Sequence, residues 1–157
     1  MTDHPQETAP AQVAVHAQYI RDFSFESPNA PQIFSPDQPQ PHIDMGVNVQ
    51  TRALDKNNTY EVALMIKLEA KNEKTTAFIA ELAYAGIFGM PPLTEEQLKL
   101  FLLIEAPRLL FPFARNILAN AIRDGGFPQV LINPIDFAGL YQQQISKMEA
   151  APASGTA

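Results

Sequence analysis

From Val13 to Glu26 apolar and polar side chains alternate: Val13, Val15, Ala17, Tyr19, Phe23 and Phe25 share one parity, with His16, Gln18, Asp22, Ser24 and Glu26 on the other. A period of two predicts a strand with one buried and one wet face. The next segment, 27–42, carries prolines at 28, 31, 36, 39 and 41. Each ring removes a backbone donor, so helix and central strand are both excluded there. Such a segment is stiff and extended, and suits a crossover better than a tight hairpin.

Alternation returns with Ile43, Met45, Val47, Val49 and Thr51 set against Asp44, Asn48, Gln50 and Arg52. A turn at Asp55-Lys56-Asn57-Asn58 leads to a third strand, with Tyr60, Val62, Leu64, Ile66 and Leu68 on one face. A second turn, Lys71-Asn72-Glu73-Lys74, leads to a fourth strand over Thr75–Phe88. Short turns make strands two to four an antiparallel meander. The fourth strand is apolar on both sides: Phe78, Leu82, Tyr84 and Phe88 on one, Ile79, Ala83, Ala85 and Ile87 on the other, with Glu81 among them. The second side is therefore expected to be covered, by a helix or by another subunit.

Thr94-Glu95-Glu96-Gln97 has the form of a capping box and opens a helical region. Pro107 and Pro112 predict a kink or break near Ala106, and Gly125-Gly126 marks the stop. A short extended piece, Gln129–Ile132, precedes Asp136, a good N-cap. The last helix would place Phe137, Leu140, Tyr141, Ile145 and Met148 on one stripe. The reading is α+β: a four-stranded antiparallel sheet with a Pro-rich crossover after strand one and two helical segments packed on it. Residues 12–148 form one domain; 1–11 and 149–157 are polar, small-residue tails expected to be mobile.

Charge and composition narrow the function. Seventeen acidic residues against eleven basic ones give a net charge of −6, which argues against a phosphate-tracking nucleic-acid binder and against an anionic membrane surface. With no cysteine there is no disulfide framework, thiolate nucleophile or Cys-based zinc site. Histidines 4, 16 and 42 are not at ligand spacing, and no phosphate loop or nucleophile elbow occurs. The start of the chain lacks the basic and apolar parts of an export signal, and Leu98–Phe113 is too punctuated to insert in a membrane. The expectation is a cytoplasmic protein that is not an enzyme and needs no cofactor or metal.

Two surfaces remain. Asp22 and Glu26 lie four apart on one strand and point the same way; the pattern fits either a solvated acidic face or a docking site. The run from Leu98 to Ile122 holds more apolar positions than one helix face needs, which fits either core or an oligomer interface.

Several blocks, in order along roughly residues 15–145, resemble the SecB family of bacterial export chaperones. They are Tyr19-Ile20-Arg21-Asp22-Phe23-Ser24-Phe25-Glu26-Ser27-Pro28-Asn29-Ala30-Pro31; Thr76-Ala77-Phe78 and Gly86-Ile87-Phe88; Leu110-Phe111-Pro112-Phe113-Ala114-Arg115; Gly126-Phe127-Pro128-Gln129; and Asn133-Pro134-Ile135-Asp136-Phe137. The chain departs from some members in having no tryptophan and a nearly uncharged C-terminal tail.

The resemblance implies a homotetramer, a dimer of dimers, that binds unfolded secretory precursors without ATP and delivers them to the SecA motor. By its pattern Asp22, Glu26 and Glu81 would dock the zinc-bearing C-terminal tail of SecA, the zinc belonging to the partner. Client grooves would draw on Ile33, Phe34, Ile43, Met45, Val47, Phe137, Leu140 and Tyr141. The subunit interface would draw on Ile79, Ala83, Ala85, Leu102, Leu109 and Ile117. A SecB-like module serving a single partner, such as a toxin–antitoxin system, is the alternative within the same fold.

Overall fold

The computed structural model describes residues 12–55 and 57–150. Four strands form one antiparallel sheet: β1 (Ala14–Glu26), β2 (His42–Ala53), β3 (Thr59–Lys71) and β4 (Thr76–Gly89), in the spatial order β1-β4-β3-β2. The short turns make β2, β3 and β4 consecutive neighbours, and β1 pairs with the free side of β4. The Pro-rich segment must therefore link opposite edges of the sheet. It is not extended throughout: a single 3-10 turn, Gln32–Phe34, buries Ile33. Ser27 Oγ and Asn29 Nδ2 tie its start to the carbonyls of Ala77 and Thr76.

The helices lie on one face of this sheet. Val62, Leu64, Ile66 and Leu68 of β3 and Phe78, Leu82 and Phe88 of β4 point into them and are buried. They meet Leu110, Ala114, Leu118 and Ile122 of α2 (Ala106–Asp124), a stripe with helical spacing. The helical region opens at α1 (Glu95–Leu100), where the capping box forms as expected: Gln97 N–H donates to Thr94 Oγ1, and Thr94 N–H donates to Gln97 Oε1. Where a kink or break is expected near Ala106, the helical region is irregular but does not break. A π-helical turn, Phe101–Glu105, joins α1 to α2 directly before Pro107. Widening that turn makes room for a ring that would otherwise press on the carbonyl four residues back.

Gly125 and Gly126 end α2. Gly126 has φ +93°, and a Cβ on Gly125 would stand 2.4 Å from the Phe25 ring, so neither position accepts a side chain without strain. The stretch expected to be extended, 129–132, forms no strand. Asp136 caps α3 (Phe137–Ala150), its Oδ1 accepting from Gly139 N–H at 3.0 Å. The helix runs two residues past the expected domain end at 148, and the tails expected to be mobile otherwise lie outside the described residues, as does Lys56 of the first turn. The α3 stripe is buried only at its start: Phe137 is enclosed, whereas Ile145 and Met148 are exposed.

β1 does not keep the strict alternation that its sequence predicts. Its pairing with β4 shifts between Val15 and Ala17 and again between Ile20 and Asp22. Each shift inserts an extra residue and reverses which parity faces the helices. Val15, Ile20, Phe23 and Phe25 share the helix side, while Ala17 and Tyr19 join Asp22, Ser24 and Glu26 on the other. The side expected to be buried is also largely open, because α2 packs chiefly over β4 and β3, leaving Val15, Ile20 and Phe23 exposed.

Candidate functional site

A cleft of about 480 Å³ runs between the outer edge of the sheet and α3. Ile43 and Met45 of β2, the loop residues Val130, Ile132, Pro134 and Ile135, and Leu140 of α3 line it. Val47, Leu140 and Tyr141 continue it along β2. Alternation on β2 sends Ile43, Met45 and Val47 to this side, and the cap at Asp136 fixes where α3 starts. Because β2 is an edge strand, its outward N–H and C=O groups have no strand partner. Apolar walls beside such an edge can take an extended chain by strand addition.

Six of the eight expected groove residues retain accessible surface: Phe34, Ile43, Met45, Val47, Leu140 and Tyr141. The other two do not. Phe137 is 1% exposed and packs edge-on against Phe111, and Ile33 is turned inward by the 3-10 turn of the crossover and buried. Both are core, since a side chain already enclosed has no area left to offer. Phe34 stands apart from the cleft, its ring 5.1 Å from Phe127 in an aromatic cluster with Phe25 and Phe78. No periodicity marks the loop 130–135, since it has no regular structure; its signals are the short apolar piece ending at Ile132 and the Asn133-Pro134-Ile135 block.

The sheet face away from the helices carries the acidic residues. Ser24 pairs with Glu81, with Asp22 and Glu26 two positions to either side and pointing the same way. Asp44 and Glu69 lie in the same row as Glu26. Lys67 Nζ is 3.4 Å from Glu81 and Lys71 Nζ 3.5 Å from Asp44, both pairs exposed. The structure thus brings Asp22, Glu26 and Glu81 together on one open surface, where Asp22 and Glu81 border a depression also lined by Met65 and Ala83.

Farther along this face lies a network that sequence reasoning missed. Tyr19 donates its hydroxyl to Glu61 Oε2, and Arg21 Nη1 reaches Glu61 Oε1 at 2.9 Å. Arg52 Nη2 lies 3.5 Å from the same oxygen, and Arg21 Nη2 donates to Gln50 Oε1 at 3.2 Å. The Tyr19 hydrogen bond, helped by the two guanidiniums, holds the Glu61 carboxyl below the usual carboxylate range against the opposing effect of its burial. Burial and the Glu61 carboxylate raise the Tyr19 phenol.

The six residues expected at a subunit interface fall on opposite sides of the sheet. Ile79, Ala83 and Ala85 are on the acidic face; Leu102, Leu109 and Ile117 are in the helical layer. Ala83, Ala85 and Leu102 are already buried within this chain, so no second subunit is needed to cover them. Exposed apolar side chains gather instead where β1 passes α2: Val15, Ile20 and Phe23 with Leu109 and Phe113, whose ring stacks on Tyr84 at 6.0 Å.

Among the described residues no helix is long and apolar enough to cross a membrane, and no cluster of acidic, His or Cys side chains could hold a metal. A family model described as preprotein translocase subunit SecB matches residues 6–148. A protein-export protein SecB of Maricaulis maris is 46% identical over 157 aligned residues, covering 96% of this chain and 91% of that one. Its namesake in Rhodospirillum centenum is 52% identical, over 85% of this chain and 79% of the other. Among solved structures, a SecB-like chaperone of Mycobacterium tuberculosis, in complex with an antitoxin peptide, superposes with a TM-score of 0.64. That match is 15% identical and covers 78% of this chain and 90% of that one, so it speaks for the fold alone. A sheet in the order β1-β4-β3-β2 with helices on one face, matched along nearly its whole length, places this chain in the SecB family.

Proposed function

We propose that this chain is an ATP-independent export chaperone: it binds unfolded precursor proteins, keeps them competent for translocation and delivers them to the SecA motor. The observation that carries this reading is the apolar cleft beside the unpaired edge of β2. It offers main-chain partners and permissive side-chain pockets together, which suits many sequences rather than one. Relatives of this length and similarity bear the name of protein-export proteins, and a chaperone of the same fold takes up a peptide.

In this reading clients lie along Ile43, Met45, Val47, Leu140 and Tyr141, and the acidic face with Asp22, Glu26 and Glu81 receives the zinc-bearing SecA tail. The protein works in the cytoplasm as a dimer of dimers, its subunits meeting through the apolar strip of β1 and α2 that includes Leu109, Phe113 and the half-buried Ile117. A client chain covers many residues of cleft, so weak contacts add along it, and release can follow when the motor draws the chain away. The test is aggregation of an unfolded precursor with this protein present, then with SecA added. Suppression that SecA reverses is the expected result; aggregation at the uncatalysed rate would sink the reading.

A further inference from the structure

The network around Glu61 is not electrically balanced. One carboxylate faces two guanidiniums, and among the described residues it is the only carboxylate within ion-pair distance of either. Arg21 holds Glu61 Oε1 at 2.9 Å with its side chain one-third exposed, while Arg52 stands off at 3.5 Å and is 68% exposed. The amide oxygen of Gln50 is engaged by Arg21, which leaves its NH₂ group free to donate. These side chains line a cavity of about 400 Å³ open to solvent on the acidic side of the sheet. The cavity therefore presents planar guanidinium and amide donors, with one positive charge in excess, on a face whose lysines, Lys67 and Lys71, are paired to carboxylates. Carboxylates fit such planar donors two at a time.

We propose that Arg52, with Arg21 and Gln50, is a carboxylate-binding subsite for a polypeptide docked on the open sheet face. The proposal rests on the reading of that face as a docking surface and specifies its ligand further. Glu61 and Lys67 are six positions apart on β3, and Lys67 pairs with Glu81, so the cavity lies about 20 Å from the acidic cluster at 3.3 Å per residue. An extended segment with lysine or arginine at one end and a carboxylate six or so residues away satisfies both. Glu61 has the role of a positioning residue: it holds Arg21 down on the sheet and sets the spacing of the two guanidiniums.

Calorimetry on the full chain tests this with three peptides that share a lysine-rich segment and a six-residue glycine–serine spacer. One ends in a glutamate side chain with an amidated terminus, one in a free C-terminal carboxylate, and one in an amidated glutamine. At least one carboxylate peptide should bind about five-fold tighter than the neutral one, the size of a charge-assisted contact at an exposed site. Which of the two gains identifies the source of the carboxylate. Arg52→Gln should abolish the advantage and leave the neutral peptide unaffected; equal binding of all three, or a uniform loss in Arg52→Gln, overturns the proposal. Asp22→Asn with Glu81→Gln should weaken all three and preserve the advantage. Should no lysine-rich peptide bind, the docking reading itself fails, and N-acetylglutamate followed through the Arg52 Nε resonance decides the subsite alone. A saturable shift supports it and an unmoved resonance refutes it.

Discussion

Tyr19 pairs with Ala85 across the β1–β4 ladder, yet its hydroxyl bonds Glu61 on β3, two strands away. Its ring must lie across β4, over Ala85, which pairs in turn with Ala63. Both alanines are fully buried although no helix covers that side. At Ala85 the second face of β4 is thus a bed of small side chains under an aromatic ring. Because the extra residue at Arg21 reverses parity, Tyr19 and Asp22 share this face, and the network secures the strand that carries Asp22 and Glu26.

The network makes stability depend on pH at both extremes. Glu61 has a lowered folded-state pKa, so its contribution is complete above the ordinary carboxylate value and fades as pH falls through the depressed one. Tyr19 has a raised one, so its contribution is complete below the ordinary phenol value and fades as pH rises through the elevated one. In urea titrations Tyr19→Phe should lose about 1 kcal/mol at pH 7, a charge-assisted hydrogen bond discounted for partial exposure. The gap between wild type and Glu61→Gln should narrow below about pH 4. A gap that stays constant into acid would rule out ionised Glu61 as its source.

Ala85→Leu should destabilise by about 1–3 kcal/mol, because added carbons would lift the Tyr19 ring from the sheet. Denaturant midpoints give the magnitude. If the variant matched wild type, the space beneath the ring would have to be open and the covering role of Tyr19 wrong.

Replacing Asp22, Glu26 and Glu81 by lysine should weaken SecA binding ten-fold or more at low salt, roughly the loss of several complementary pairs. The difference should shrink as ionic strength rises. Suppression of precursor aggregation should persist, since the cleft lies on the other side of the sheet. Lys67→Ala should act oppositely and tighten SecA binding, by freeing Glu81 from its cation.

Phe113→Asp and Leu109→Asp place charges on side chains that are already 49% and 39% exposed in the single chain. Folding should survive, while a tetramer held through this strip should fall to smaller species in native mass spectrometry. Persistence of four-chain mass in both variants would place the interface elsewhere.

Met45→Asp should reduce client affinity several-fold with little change in stability, Met45 being 46% exposed on the cleft wall. Phe137→Ala should instead cost about 3–5 kcal/mol of stability, as for other enclosed aromatics. Paired client-binding and unfolding measurements distinguish wall from core.

What the sequence determined by itself is whatever local periodicity and chain stiffness control. The alternation of β3, the position of β4, the capping box at Thr94, the cap at Asp136 and the Pro-rich crossover all stand where the pattern put them. So does the shared direction of Asp22 and Glu26, because parity within one strand carries it; Glu81, on another strand, joins them only through the pairing of Ser24 with Glu81. The tertiary structure decided what depends on how far one element reaches over another. Extra residues in β1 are invisible to an alternation count, since they appear only when β4 supplies the register. That α2 stops short of β1 left Ile20 and Phe23 bare, and that α3 begins by burying Phe137 turned an expected groove residue into core. The joining of Tyr19, Arg21, Arg52 and Glu61, up to 42 residues apart, has no local signature. It exists because β3 lies between β4 and β2, bringing side chains from three strands within hydrogen-bonding and ion-pair reach of one carboxylate.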